Sequence, residues 1–237
     1  MLRKLTMVAL AWVALAAAVA YGGETDIRRK VQSMFPEAAI ESIAKTSFSG
    51  IYEVVVGGRI LYTDDKASFI FIGSLLDTRG PVEKDLTRER SAQVAAQTLR
   101  KSTDLAFKRV RGNGKRVLYT FEDPNCGFCK QLHRELAKVN DLTVYTFLIP
   151  ILGPDSVEIS KAVWCAKDRA KAWDDAMQGT MQGGGRDCNT PIEKNLELSR
   201  RFGIRGTPTI FLVDGRQAGA GYMPANEIEQ ALGSVPR

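Results

Sequence analysis

Two cysteines in the run Cys126-Gly127-Phe128-Cys129, with a Thr207-Pro208 pair far downstream, are the residues of this chain best suited to chemistry. A Cys-x-x-Cys pair that opens a helix behind an apolar strand lets one thiolate attack a disulfide while its neighbour waits to resolve the product. Such exchange needs no cofactor. The competing reading is zinc, with His133, the only histidine of the chain, as a third ligand. Structural zinc takes a second close pair of ligands, however, and Cys165 and Cys188 lie far from each other and from this pair in sequence. The strand-to-helix setting therefore favours redox chemistry, and no metal site is expected. His133 reads as a solvated or half-packed helix residue whose charge could bias either thiol.

The elements that must position these thiols are visible around them. Val117-Leu118-Tyr119-Thr120-Phe121 is β-branched and aromatic and closes at Glu122-Asp123-Pro124-Asn125. Pro124 and Asn125 predict a helix entry, with the helix running from about Cys129 to Val139 and Cys126 at or beside its N-terminus. Unpaired N–H groups and the positive dipole end there favour a negative sulfur. Cys126 is thus the expected nucleophile and Cys129, one turn deeper, the shielded resolving thiol. Stabilising the thiolate form makes the active-site disulfide a stronger oxidant, by about 1.4 kcal/mol per 30 mV.

Downstream, the pattern predicts a strand over Leu142 to Ile149, a helical region from Asp155 to Met177 and a helix from Ile192 to Phe202. A strand over Thr209 to Val213, a short strand around Ala218 to Tyr222 and a helix from Ala225 to Leu232 follow. Strands alternating with helices argue for an α/β sheet with its chemistry at a strand's C-terminal end. Pro208, immediately before an apolar strand, needs an edge or a special turn, and a cis Thr207-Pro208 bond fits.

The compartment is read from the N-terminus. Arg3 and Lys4 precede an apolar stretch from Leu5 to Ala20 that ends in Ala18-Val19-Ala20, the small-x-small pattern of a signal peptidase site. Residues 1–20 are expected to be a cleaved signal peptide, the alternative being an uncleaved anchor, for which the stretch is short. Either way the body of the protein lies where disulfides persist. The four cysteines of the chain fit that setting. Cys165 and Cys188 could close a structural disulfide, worth about 3 kcal/mol in the chain-entropy model, or stand as two unpaired thiols.

The formal charge of +6 includes Arg3 and Lys4, and from Glu83 to Arg116 ten basic residues face four acidic ones, so the basic excess is local. In that stretch Leu86 to Leu105 reads as a helix with few apolar positions, among them Val94, Ala95 and Leu99, of the kind that bridges domains through solvent. Its charges are a solvated face, and nucleic acid is not an expected partner. Gly80-Pro81 marks the end of a first unit, and Arg111-Gly112-Asn113-Gly114-Lys115 is a turn before the next. The first unit has a helix from Asp26 to Met34 and then runs over Ala39 to Phe48, Ile51 to Val56, Arg59 to Thr63 and Ser68 to Ile72. Turns at Ser49-Gly50 and Gly57-Gly58 predict antiparallel hairpins. It holds no Cys or His, its sheet is too small to bury both faces, and Ser68 to Leu76 is the candidate segment for association. The expected organisation is a signal peptide over residues 1–20, an α+β domain over 21–80, a linker helix over 81–112 and the redox domain over 113–237.

A Cys-x-x-Cys at a helix start, a helical insertion and a Thr-Pro before a strand together resemble the thioredoxin fold. With the N-terminal domain and linker helix, the whole mature chain resembles the DsbC/DsbG family of periplasmic thiol:disulfide interchange proteins. The resemblance is carried by Tyr62-Thr63-Asp64-Asp65 before an apolar run, Cys126-Gly127-Phe128-Cys129, Leu132-His133 and Gly206-Thr207-Pro208-Thr209. It implies an α/β thioredoxin-like catalytic domain with a helical insertion, preceded by a small α+β dimerisation domain and a linker helix. Cys126 and Cys129 are by resemblance the redox pair, Thr207 and Pro208 the substrate-binding loop, and Cys165 with Cys188 the structural disulfide. Phe128 stands where the family has tyrosine, one hydroxyl donor fewer.

The implied activity is isomerisation or reduction of incorrect disulfides in exported proteins. The implied partners are a second copy of the chain through the N-terminal domain, misoxidised periplasmic substrates and a membrane thiol reductase of the DsbD type. Two other readings are a dithiol oxidase that donates disulfides and a dimeric chaperone or assembly factor with secondary redox activity. The extra N-terminal domain and the threonine before Pro208 argue against the oxidase.

Overall fold

The computed structural model describes residues 23–236 apart from Gln182 and Arg186. The expected signal peptide over residues 1–20 lies outside the described residues. Among these, no helix is long and apolar enough to cross a membrane. The chain divides into two compact units between Arg88 and Glu89.

In the first unit a helix over residues 23–34 (α1) places Ile27 and Val31, one turn apart, on a three-stranded antiparallel sheet. The strands are β1 (Ile40–Lys45), β2 (Tyr52–Val56) and β3 (Arg59–Thr63), joined in the order β1-β2-β3. Tyr52, Val54 and Val56 alternate inward along β2 against α1, as a strand with one buried face requires. The expected hairpin turn at Gly57-Gly58 is present, and both glycines take the positive φ that such a turn demands.

Ser68 to Ile72, expected as a fourth run, is not a ladder strand. Its backbone meets β3 at the bridge between Tyr62 and Phe71, and the Thr63 hydroxyl of β3 donates to the Phe69 carbonyl at 2.5 Å. The Asp64 carboxylate holds the Ser68 N–H and hydroxyl in a tight turn, and beyond it only Ile70 packs inward while Phe69, Phe71 and Ile72 are exposed. Gly80-Pro81 does not end the unit either. It lies between β4 (Leu76–Asp77) and β5 (Lys84–Asp85), which pair antiparallel, so the chain turns back before it leaves.

The expected linker over 81–112 is likewise divided differently. Helix α2 (Leu86–Lys101) buries Val94, Ala95, Ala96 and Leu99 rather than bridging through solvent, and from Glu89 onward it belongs to the second unit. There Ala95 and Leu99 join Tyr119, Phe121 and Phe147 in one core. Gly215, with φ +84°, makes the contact possible, since a Cβ there would lie 1.9 Å from the Ala92 carbonyl oxygen. After the short 3₁₀ turn Thr103–Leu105, Phe107–Arg111 is β6, a strand of the main sheet.

That sheet contains β7 (Arg116–Glu122), β8 (Leu142–Leu148), β9 (Thr209–Leu212) and β10 (Gln217–Ala220) in the order β10-β9-β7-β8-β6. Only β7 and β8 run parallel; the other neighbours are antiparallel. The central β7 is covered on both sides, which explains its near-continuous apolar run. Leu118 faces α3 (Gly127–Leu136) and α7 (Ala225–Gly233), whereas Tyr119 and Phe121 face α2 and α6 (Ile192–Arg201). The helical region expected over Asp155 to Met177 is two helices, α4 (Pro154–Cys165) and α5 (Arg169–Gln178). Asp168 starts the second by accepting from the Lys171 N–H. Trp164, Trp173 and Met177 of this insertion pack with Phe107, Leu148 and both Cys126 and Cys129.

Candidate active site

The site forms where β7 runs out. Asp123, the first residue beyond it, is fully buried and accepts four hydrogen bonds: from the N–H groups of Asn125, Ile151 and Leu152 and from the Ser156 hydroxyl, all between 2.7 and 2.9 Å. One carboxylate therefore sets both the turn into α3 and the loop after β8. Its backbone carbonyl receives the Cys126 N–H at 3.1 Å.

Cys126 is the N-cap of α3, in extended backbone geometry, so the helix starts at Gly127 and not at Cys129 as the sequence suggested. Its sulfur accepts from the Cys129 N–H at 3.4 Å and directs its own S–H at the Thr207 carbonyl, 3.2 Å away. The sulfur thus receives one of the N–H groups that a helix start leaves unpaired. The expected loop partner is in place: the Thr207-Pro208 bond is cis, and the Gly221 N–H is bound to the Pro208 carbonyl at 2.7 Å. All four expected residues, Cys126, Cys129, Thr207 and Pro208, lie in the second unit, with Thr207 in direct contact with Cys126.

The two thiols are unequal. Cys126 keeps 6% of its surface and Cys129 keeps none. Burial pushes the Cys129 thiol up, and the Glu122 carboxylate adds to the shift; the Asp123 N–H aimed at its sulfur works the other way. Cys129 is therefore held as a thiol until something reaches Cys126.

Below the pair is a polar cluster of which the sequence singled out only His133. Glu122 is fully buried; its Oε1 accepts from the Thr120 hydroxyl at 2.7 Å and lies 3.6 Å from Arg109 Nη2, while its Oε2 makes no hydrogen bond among the described residues. Burial raises its pKa, and Arg109 and Thr120 only partly offset this. Arg109 Nη1 lies 3.3 Å from His133 Nδ1. A guanidinium only donates, so Nδ1 accepts and the remaining ring proton sits on Nε2, which faces Asp174 at 3.7 Å. Desolvation and the Arg109 charge both hold His133 below its usual pKa. His133 is thus turned toward Arg109 and Asp174. The signals in the sequence were weak ones: Glu122 two positions after Thr120 on one strand face, and an Asp-Pro-Asn turn.

Apolar side chains on the helix and loops near the thiols are exposed. Phe128, the Ile151-Leu152 pair held by Asp123, and Tyr222 next to Gly221 are all exposed. Cys165, at the end of α4, and Cys188 are joined in a disulfide with 5.7 Å between their Cα atoms.

Comparison with known proteins agrees with this geometry. Residues 103–236 match the family described as a thioredoxin-like domain, and residues 15–88 match the disulfide bond isomerase protein N-terminal domain. The chain is 39% identical over 207 residues to a probable thiol:disulfide interchange protein DsbC of Bordetella parapertussis, covering 87% of this chain and 73% of that one. It is 30% identical over 208 residues to thiol:disulfide interchange protein DsbC of Escherichia coli, covering 85% and 86%. Among solved structures it is similar to a disulfide interchange protein from Neisseria gonorrhoeae, with a TM-score of 0.53 and 43% identity over 55% of this chain and 95% of that one.

Proposed function

The chain belongs to the DsbC family of thiol:disulfide interchange proteins, and from that premise we propose that it corrects disulfides in exported proteins with Cys126 as nucleophile and Cys129 as resolving thiol. The observation that carries the assignment of roles is the inequality of the pair: Cys126 caps a helix and touches Thr207, whereas Cys129 is sealed and held protonated.

In the reaction the Cys126 thiolate attacks one sulfur of a substrate disulfide. A Cys126–substrate bond forms, the substrate S–S bond breaks, and the displaced substrate sulfur leaves as a thiolate. If another substrate thiolate then attacks the substrate sulfur of the mixed disulfide, Cys126 is released as a thiolate and the outcome is isomerisation. If Cys129 loses its proton and attacks Cys126, the Cys126–Cys129 disulfide forms and the substrate leaves with two thiols, a two-electron reduction. A sealed, protonated Cys129 slows the second branch and leaves time for the first. The Thr207-Pro208 loop holds an extended substrate segment by strand-like hydrogen bonds, and the apolar rim of Phe128, Ile151, Leu152 and Tyr222 suits unfolded chains.

The same reading places the protein in the periplasm, delivered by a cleaved signal peptide, with a DsbD-type membrane reductase keeping the dithiol reduced. It works as a homodimer joined through the N-terminal domain, whose exposed Phe69, Phe71 and Ile72 offer an apolar surface for a second copy. The domains in this reading are that N-terminal unit, α2 as the connection, and the redox unit. Cys165–Cys188 serves as a structural bond.

The test is recovery of activity from a scrambled multi-disulfide protein by the mature chain and by Cys126→Ser. Recovery that requires Cys126 supports the isomerase. Oxidation of reduced substrate without correction of scrambled substrate would replace it with the oxidase.

A further inference from the structure

Beside the Thr207-Pro208 loop lies a cavity of about 330 Å³. Thr207 belongs to both places: its carbonyl receives the Cys126 S–H at 3.2 Å, and it forms part of the cavity wall. A single residue thus separates the reactive sulfur from this space.

Glycines at 203, 206 and 221 line the cavity, and a Cβ on any of them would meet no heavy atom within 4 Å. Gly203 and Gly221 have positive φ, which explains their identity. Gly206 does not. Its backbone accepts any residue and its surroundings have room for a side chain, so neither conformation nor packing accounts for a glycine there. What the missing side chain does is keep the space beside Thr207 clear.

Among the described residues Arg205 is the one charged residue in the cavity wall, with Gln217 as the other long polar side chain. Arg205 is exposed and makes no ion pair among the described residues. A guanidinium presents a planar fork of donors that fits a carboxylate in two-pronged fashion.

We propose that this cavity is a side-chain subsite of the exchange site, with Arg205 as its specificity residue, and that it favours substrate segments carrying aspartate or glutamate within two positions of the disulfide cysteine. The inference rests on the exchange reading above. A segment lying extended along Thr207 sends successive side chains to opposite sides, so with its cysteine sulfur at Cys126 a residue one or two positions away reaches the cavity. Because Arg205 is exposed, the pairing is modest: a carboxylate gains up to about fivefold in rate over a neutral residue, and salt weakens the effect.

The experiment uses three disulfide peptides that differ only in carrying Glu, Gln or Lys beside one cysteine. Each is reacted in excess with the reduced full chain at low salt, and second-order rate constants are compared within each protein variant. A change in Cys126 reactivity common to all three peptides cancels in the Glu-to-Lys ratio. The wild-type chain is expected to prefer Glu over Gln and Gln over Lys, Arg205→Gln to bring the Glu-to-Lys ratio to about one, and Arg205→Glu to invert it. Gly206→Val, which fills the cavity, should lower the ratio of the Glu peptide to a small neutral disulfide. A Glu-to-Lys ratio unchanged in Arg205→Glu overturns the subsite. Equal wild-type rates with all three peptides overturn the subsite and leave exchange standing, whereas no reaction with any peptide overturns both.

Discussion

Arg109 of β6 reaches across the intervening strand β8 to place Nη2 3.6 Å from Oε1 of Glu122, at the end of β7. Thr146 of β8 stands between them, accepting from Arg109 at 3.2 Å and lying 3.0 Å from the Thr120 hydroxyl. A cation and an anion taken out of water each lose several kcal/mol of solvation, and their attraction returns this only when geometry and hydrogen bonds are good. Here the return is incomplete: Arg109 Nε and Glu122 Oε2 have no hydrogen-bond partner among the described residues. The pair sits under Cys129, whose ionisation it opposes through Glu122.

Cys129→Ser should trap the mixed disulfide, since the buried resolving thiol is gone while Cys126 still faces substrate. Mass spectrometry after exposure to an oxidised multi-cysteine protein is expected to find covalent adducts at Cys126. An absence of adducts would remove Cys129 from the resolving role.

Glu122 and His133 give opposite contributions to stability against pH. The Glu122 pKa is raised by burial, so its contribution is present in full below the ordinary carboxylate pKa and is lost as pH rises through the raised value. The His133 pKa is lowered, so its contribution is present above its unfolded pKa of about 6.5 and is lost as pH falls through the lowered value. Glu122→Gln should flatten the first slope and His133→Gln the second in urea unfolding measured across pH. Identical profiles for wild type and both variants would refute the assignment.

Arg109→Met leaves the Glu122 carboxyl without its cation and is expected to cost about 3–5 kcal/mol, or to force Glu122 to stay protonated. Arg109→Met with Glu122→Gln should recover most of the loss, because no charge is then stranded. Chemical denaturation of the four members of this cycle reads the coupling directly, and additive losses would contradict it.

Replacing both Cys165 and Cys188 by alanine should lower stability by about 3 kcal/mol, as expected for freeing a loop of this length in the unfolded chain. The comparison is between the variant and the wild type with the dithiol reduced in both. A loss well under about 1 kcal/mol would mean that the unfolded chain is already constrained there.

Much of the fold was legible because it rests on local chemistry. The apolar run of β7, the Cys-x-x-Cys behind it, the Thr-Pro ahead of β9 and the glycine turns of the first unit each carry their signal within a few residues. The errors arose where a segment's fate depends on a distant surface. Phe107–Arg111 reads as charged linker because Lys108, Arg109 and Arg111 interrupt it, yet it is an edge strand on β8, where alternate side chains reach solvent. α2 reads as a solvated bridge because its apolar stripe is narrow, but small residues there admit the close approach of Gly215.

The amino-acid sequence by itself determined the chemistry: two thiols at helical spacing, a proline loop to face them and two further cysteines able to pair. Tertiary structure alone decided what surrounds the thiols. Asp123 clasps Ile151 and Ser156, Arg109 of β6 reaches Glu122 and His133, and Thr207 meets Cys126, contacts between strands and loops far apart in the chain. Burial and electrostatic environment are properties of that assembly, because a carboxylate in an isolated segment is solvated and acquires a shifted pKa only when folding removes its water.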